Sequence, residues 1–150
     1  MKKKRIYGII IVSFVLVTVV IFLFFIRSKR GERLEDARYL SCASNLKCMK
    51  LALQQYAVDY SGFFPPESGA AGLEYLRKYD YLADYSIYAC PNTKIVRGKD
   101  NQPLTEEIVD YVYVGGLNHK SDRKSPILYD KPGNHQHSGN CLLVPKLYSK

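Results

Sequence analysis

The chain has 150 residues, with 22 Lys and Arg against 14 Asp and Glu, for a formal net charge of +8. Residues 1–33 hold eight of the basic residues and one Glu, whereas residues 34–150 hold fourteen basic and thirteen acidic ones, a net of +1. A nucleic-acid-binding domain carries its basic residues on the folded part, so no nucleic-acid partner is expected, and the charge belongs to flanks that read membrane topology and headgroups.

Residues 1–5 form a basic N-terminus, Lys2-Lys3-Lys4-Arg5. From Ile6 to Ile26 there is no charge, and Ile, Val, Leu and Phe are interrupted only by Tyr7, Gly8, Ser13 and Thr18. As a helix this span is roughly 31 Å long, close to the hydrocarbon thickness of a bilayer. A cleaved signal has a shorter apolar core, of about 7–15 residues, and ends in small residues, whereas Phe24-Phe25-Ile26-Arg27 follows here. Residues 6–26 therefore read as an uncleaved transmembrane helix, with the membrane itself as a partner. Residues 27–33 form a basic joint with Gly31 as its weak point, leaving either one kinked rod or a short break before the next helix. Basic residues on the two sides are nearly balanced. The unbroken first cluster, and the dilution of the second by Glu32, Glu35 and Asp36, favour a cytoplasmic N-terminus. The domain of residues 34–150 would then lie outside the inner membrane, in the periplasm or its equivalent.

That domain is long enough for one modest core. It holds twelve of the thirteen tyrosines and no tryptophan. Rings of this kind suit helix–sheet seams or contact with a partner. From Leu34 to Tyr60 the apolar residues Cys42, Leu46, Met49, Leu53, Tyr56 and Tyr60 recur at helical spacing. Ser61-Gly62 and Pro65-Pro66 stop that helix. Leu73, Leu76, Tyr79 and Leu82 predict a second, short helix over Gly69–Ala83. Strands are expected at Ser86–Cys90, Ile108–Val114, Ile127–Tyr129 and Asn140–Val144, with an exposed loop over 92–107. The layout is α+β, one N-terminal helix followed by a small antiparallel sheet.

Four cysteines, Cys42, Cys48, Cys90 and Cys141, lie beyond the anchor. An even number in an extracytoplasmic domain favours disulfides. No two have the short spacing of a zinc motif. Cys42 and Cys48 point to different sides of one helix and should not bridge each other, which leaves two pairings open. Asp130, His135 and His137 could hold a metal, although a solvated turn explains the same residues. A calcium site using Asp122 or Asp130 lacks a run of closely spaced carboxylates. The usual hydrolase, metalloprotease and phosphate-loop motifs do not occur, so neither enzymatic activity nor a cofactor is expected.

The segment CASNLKCMKLALQQYAVDYSGFFPP, from Cys42 to Pro66, resembles the C-x-S-N-L-K-Q-I-x-L-A-x-x-x-Y-x-x-D-x-x-G-x-x-P-P segment of prepilin-type, pseudopilin-like proteins. Tyr88-Ala89-Cys90-Pro91, Tyr111 to Gly116 and Asp130 to His135 extend the resemblance in order. It implies a pilin-like fold, in which a long helix is half anchor and half spine against a sheet. It also implies kinship with structural subunits of type II secretion and type IV pilus machinery, hence other such subunits as partners. The Phe and Glu of the family's processing site are absent around Gly8, and so is the Asp-Gly tail that follows His135 in many relatives. A full-length, unprocessed protein is expected for that reason. The resemblance also implies the disulfide pairing. Cys42 and Cys90 stand where the family motif has cysteine, and Cys48 and Cys141 do not, which pairs Cys42 with Cys90 and Cys48 with Cys141. An alternative to the structural role is an anchored module that binds glycan or protein through Tyr111 and Tyr113.

Overall fold

The computed structural model describes residues 2–93, 102–135 and 138–147. Helix α1 spans Lys2–Asp59, and Gly31 lies within it. Two compact units divide the chain, Met1–Asp36 and Ala37–Lys150. The first is helix alone. Part of it is long and apolar enough to cross a membrane, and that window is buried nowhere against protein. By length and composition such a helix could span a bilayer.

The second unit is α+β. It contains the end of α1, helix α2 (Gly69–Lys78) and strands β1 (Tyr111–Tyr113), β2 (Pro126–Asp130) and β3 (Cys141–Leu143). The sheet is antiparallel, in the order β1-β2-β3. Tyr111 pairs with Asp130 and Tyr113 with Leu128, while Tyr129 pairs with Cys141, and a register shift lies between Pro126 and Leu128. From α1, Leu46, Met49, Leu53, Tyr56 and Ala57 join one buried cluster with Leu73 and Leu76 of α2 and with Tyr111, Tyr113, Ile127 and Leu128 of the sheet. Cys42, ahead of them on the same stripe, is buried too. Tyr60, at the far end, is half exposed, because α1 has already ended.

Termination follows from the backbone. Ser61 and Gly62 both have positive φ, and the Gly62 N–H donates back to the Ala57 carbonyl at 2.6 Å. That is the left-handed close that glycine makes cheaply. A side chain at Gly62 would also strike the His119 ring, which is held against the Gly62 carbonyl. The Phe63–Asn118 bridge continues this junction. Helix α2 approaches β1 through Gly72, where a Cβ would run into the Glu67 carbonyl and the Tyr113 ring.

Three expected elements change. The second helix stops at Lys78 rather than Ala83, since Asp80 turns left-handed and the Tyr81 and Leu82 N–H groups both donate to the Leu76 carbonyl. The expected strand at Ser86–Cys90 is instead a 3₁₀ turn, Tyr85–Tyr88. Asp84 caps that turn by accepting the Ser86 N–H at 2.8 Å, and the buried Tyr88 hydroxyl donates to the Leu82 carbonyl at 2.8 Å. The cap and the Ile87 N–H, which donates to the Asp84 carbonyl at 3.2 Å, close the backbone into a turn there. The strand expected from Ile108 begins only at Tyr111, because the Ile108 and Val109 N–H groups both donate to the Thr105 carbonyl in a turn. Residues 94–101 of the expected loop lie outside the described residues.

Candidate functional site

The densest polar chemistry gathers where α1, the segment after the 3₁₀ turn and the β2–β3 connection meet. Cys42 and Cys90 are joined in a disulfide with their Cα atoms 5.5 Å apart. The His135 Nε2 lies 3.5 Å from Cys90 Sγ and 3.6 Å from Asp130 Oδ2. The two sulfurs and an imidazole nitrogen all fall within 4.8 Å of one another. The side chains of His135 and Asp130 are 2% and 1% exposed. Tyr39 of α1 closes the far side, its ring edge-to-face with the imidazole at 5.2 Å between centroids.

A net of buried hydrogen bonds holds these groups. Asp110 is its hub. One carboxylate oxygen accepts the Cys90 N–H at 2.8 Å and the Thr93 hydroxyl, fixing the disulfide-bearing segment. Its carbonyl accepts the Asn134 side-chain amide at 2.7 Å and the Lys131 N–H at 3.0 Å, fixing the turn that presents His135. Asn92 donates to the Asn134 carbonyl at 2.6 Å and so links the two segments directly. Asp130 Oδ2 accepts both the backbone and the side-chain N–H groups of Asn140, at 2.5 and 2.9 Å. Asp130 Oδ1 is buried and has no hydrogen-bond partner among the described residues. Leaving a carboxylate oxygen dry costs free energy unless something else satisfies it. Beside it, a cleft of about 560 Å³ opens between the ends of β2 and β3, lined among others by Asp130, Pro132, His135, Ser138 and Cys141.

Of the residues singled out from the sequence as metal ligands, the fold brings Asp130 and His135 together. His137 lies outside the described residues. The partners that do join them, Cys42 and Cys90, come from distant parts of the chain, so no local spacing announced them. Asp122 accepts the Lys124 N–H at 3.0 Å in a turn of its own.

Two expectations are corrected. Cys48 and Cys141 form no second disulfide, and both are free thiols. Cys141 shares the outward side of β3 with Leu143, whereas Leu142 between them packs against the core. Tyr111 and Tyr113 offer no partner surface, because both are fully buried. The Tyr113 hydroxyl donates to the Pro65 carbonyl at 2.9 Å, and the Tyr111 hydroxyl accepts the Asn45 amide at 3.2 Å. Burial in the core pushes both phenols well above their ordinary pKa. Exposed tyrosine lies elsewhere. Tyr60 stacks on Tyr56 at 4.1 Å between centroids, and Tyr79 stands beside it at 6.4 Å, the two outer rings being 41% and 45% exposed.

Compared with models of protein families, with curated proteins and with solved structures, the chain matches none.

Proposed function

We propose that this protein is a membrane-anchored structural or accessory subunit of a pilin-like assembly of the type II secretion or type IV pilus kind, with its N-terminus cytoplasmic and residues 34–150 outside the inner membrane. The observation that carries this reading is the division of labour along α1. Its first part is apolar on every side, from Ile11 to Ile26. Within the second unit it buries the Cys42–Ala57 stripe and leaves Leu40, Leu51 and Val58 exposed. At about 100° per residue those three side chains fall within roughly 20° of one line, away from the core stripe. A line of exposed apolar side chains, shared with Lys47, on a helix that also carries an apolar anchor segment suits packing against the helices of neighbouring subunits. The Cys42–Cys90 disulfide agrees with an oxidising compartment for the domain.

Photo-crosslinking from position 51 in intact membranes tests the reading. The expected product joins this chain to a second copy or to another single-pass subunit of pilin type, while a probe at the buried position 53 gives none. Only uncrosslinked monomer from position 51 under conditions of native expression would overturn it. Protease added to spheroplasts should digest the domain and spare an N-terminal tag, and the reverse pattern inverts the topology.

A second reading, an anchored module that binds glycan, draws on the exposed Tyr60 and Tyr79 rings, with the Lys78 ammonium 5.6 Å over the Tyr79 ring. Exposed tyrosine rings join an apolar face to a polar hydroxyl, which suits a ligand with apolar faces and hydroxyl groups. Loss of oligosaccharide binding in Tyr60→Ala and Tyr79→Ala, with crosslinking from position 51 intact, would favour it.

A further inference from the structure

We propose that Cys42, Cys90 and His135, with Asp130 as the fourth ligand, form a redox-gated zinc site whose metal-free state is the Cys42–Cys90 disulfide. Nothing in it depends on the assembly role proposed above. Thiolate, imidazole and carboxylate are all ordinary zinc ligands, and two thiolates with an imidazole and one further donor complete a tetrahedral set. With zinc–sulfur and zinc–nitrogen bonds of about 2.3 and 2.0 Å, a tetrahedral site places sulfur and nitrogen donors about 3.5 Å apart. Cys90 Sγ and His135 Nε2 are already 3.5 Å apart. A nitrogen and a carboxylate oxygen on the same ion would be separated by about 3.3 Å, against 3.6 Å between His135 Nε2 and Asp130 Oδ2. Nitrogen and one sulfur thus stand near their places; when the disulfide opens the sulfurs must part, and the Asp130 carboxylate, which lies beside the nitrogen but outside the 4.8 Å cluster, must turn toward them.

The second observation is the orphaned oxygen. Asp130 Oδ1 is buried without a hydrogen-bond partner among the described residues, on a carboxylate whose other oxygen already takes both Asn140 N–H groups. A cation beside this carboxylate compensates the charge in a way that one more neutral donor would not. Those Asn140 bonds, and the hold of Asp110 on the Cys90 N–H, are the supporting shell that orients ligands in built metal sites. The cleft past Ser138 and Cys141 gives an ion its approach to Asp130 and His135.

The chemistry balances with a dithiol as the reductant. Its two thiols pass two electrons and two protons to the Cys42–Cys90 bond, giving two protein thiols and a cyclic disulfide of the reductant. Zinc then binds both sulfurs as thiolates and releases those two protons. A disulfide reagent takes the two electrons back, leaving as two thiolates, so that the Cys42–Cys90 bond re-forms and the zinc ion is released.

The full-length protein in detergent micelles is the test, in a Cys48→Ala/Cys141→Ala background so that no other thiol contributes. Reduced anaerobically with a dithiol, freed of reductant and dialysed against zinc, it should hold one zinc per chain, while the oxidised form holds none. Cobalt(II) in place of zinc should give the intense visible bands of a tetrahedral thiolate complex. His135→Gln should leave the oxidised protein folded by circular dichroism yet weaken zinc binding in the reduced form at least tenfold. Asp130→Asn should weaken it by a similar factor. Zinc well below one per chain in the reduced parent, equal zinc in both redox states, or undiminished binding in Cys90→Ser would each overturn the site. The comparison of redox states needs only the Cys48→Ala/Cys141→Ala parent, whose fold circular dichroism checks in both states, and no ligand variant.

Discussion

Residues 11–26 and residues 42–57 belong to one helix, and they solve the problem of apolar surface in opposite ways. In the first stretch every side chain is exposed, so no protein surface covers it. In the second, Cys42, Leu46, Met49, Leu53, Tyr56 and Ala57 turn to one side and are buried, while Lys47, Lys50 and Gln54 line other faces. A helix has no preference for either fate by itself. The first stretch is apolar at every angle, as a membrane-spanning helix could be; the second is apolar along one stripe and calls for a protein partner, which α2 and the sheet supply.

The contrast is broken most sharply inside the second stretch. Leu53→Asp should abolish cooperative unfolding of the 37–150 unit, and Leu53→Ala should cost about 2–5 kcal/mol, since the side chain is wholly buried. Leu51→Ala, two residues away and 67% exposed, should stay within about 0.5 kcal/mol. Urea titration of both variants in micelles measures the difference. Comparable losses would place the packed face of α1 elsewhere.

The reverse separation should hold in the first stretch. Val17→Arg should cost membrane insertion about 2.5–3.5 kcal/mol, read as the fraction of chains resisting alkaline extraction. The thermal midpoint of the folded unit should not move.

The buried half also answers to pH. Burial raises Tyr56 to about 12 and pushes Tyr88, Tyr111 and Tyr113 higher still. A group whose folded pKa is raised contributes stability fully below its unfolded value of about 10, and loses it as pH climbs toward the folded value. Unfolding free energy should thus decline above pH 10, by about 1.4 kcal/mol per pH unit for each such tyrosine. Tyrosinate absorbance should rise in two steps, the second coinciding with loss of ellipticity. A single step completed with the fold intact would show these rings to be wet.

The smallest effect belongs to Glu106. It accepts the Ala70 N–H at 2.5 Å at the start of α2 and pairs with Lys131 at 3.1 Å. The Ala70 bond first, and then Lys131, hold its carboxyl below the ordinary value against the opposing effect of burial. Its contribution is present above about pH 4.5 and fades as pH falls through the lower, folded value. The side chain is 62% exposed, so Glu106→Gln should cost only about 0.5 kcal/mol. The cost should vanish in acid, as a pH series of thermal melts would reveal.

What could be read along the chain is what short-range physics writes there. The uncharged apolar run, the stripe from Cys42 to Tyr56, the stop at Gly62 and the β-branched and aromatic segments that became β1 to β3 all follow from periodicity and turn chemistry. So does the α+β class. The strand expected at Ser86–Cys90 failed because its backbone donors were claimed elsewhere, those of Ser86 and Ile87 by Asp84 and that of Cys90 by Asp110. The tyrosines of β1 were misplaced because a sequence gives the alternation of a strand without saying which side is covered. Here α2, closing on β1 through Gly72, put Tyr111 and Tyr113 inside.

The pairing of cysteines and the make-up of the polar cluster were decided by tertiary structure alone. Cys42 and Cys90 are 48 residues apart, and Cys90 and His135 another 45. No local spacing connects them, and Asp110, which ties their segments together, falls in sequence inside the expected strand 108–114, where nothing marks it out. Local periodicity determines which elements form and which of their faces are apolar. Only packing those faces together selects the polar side chains that become neighbours.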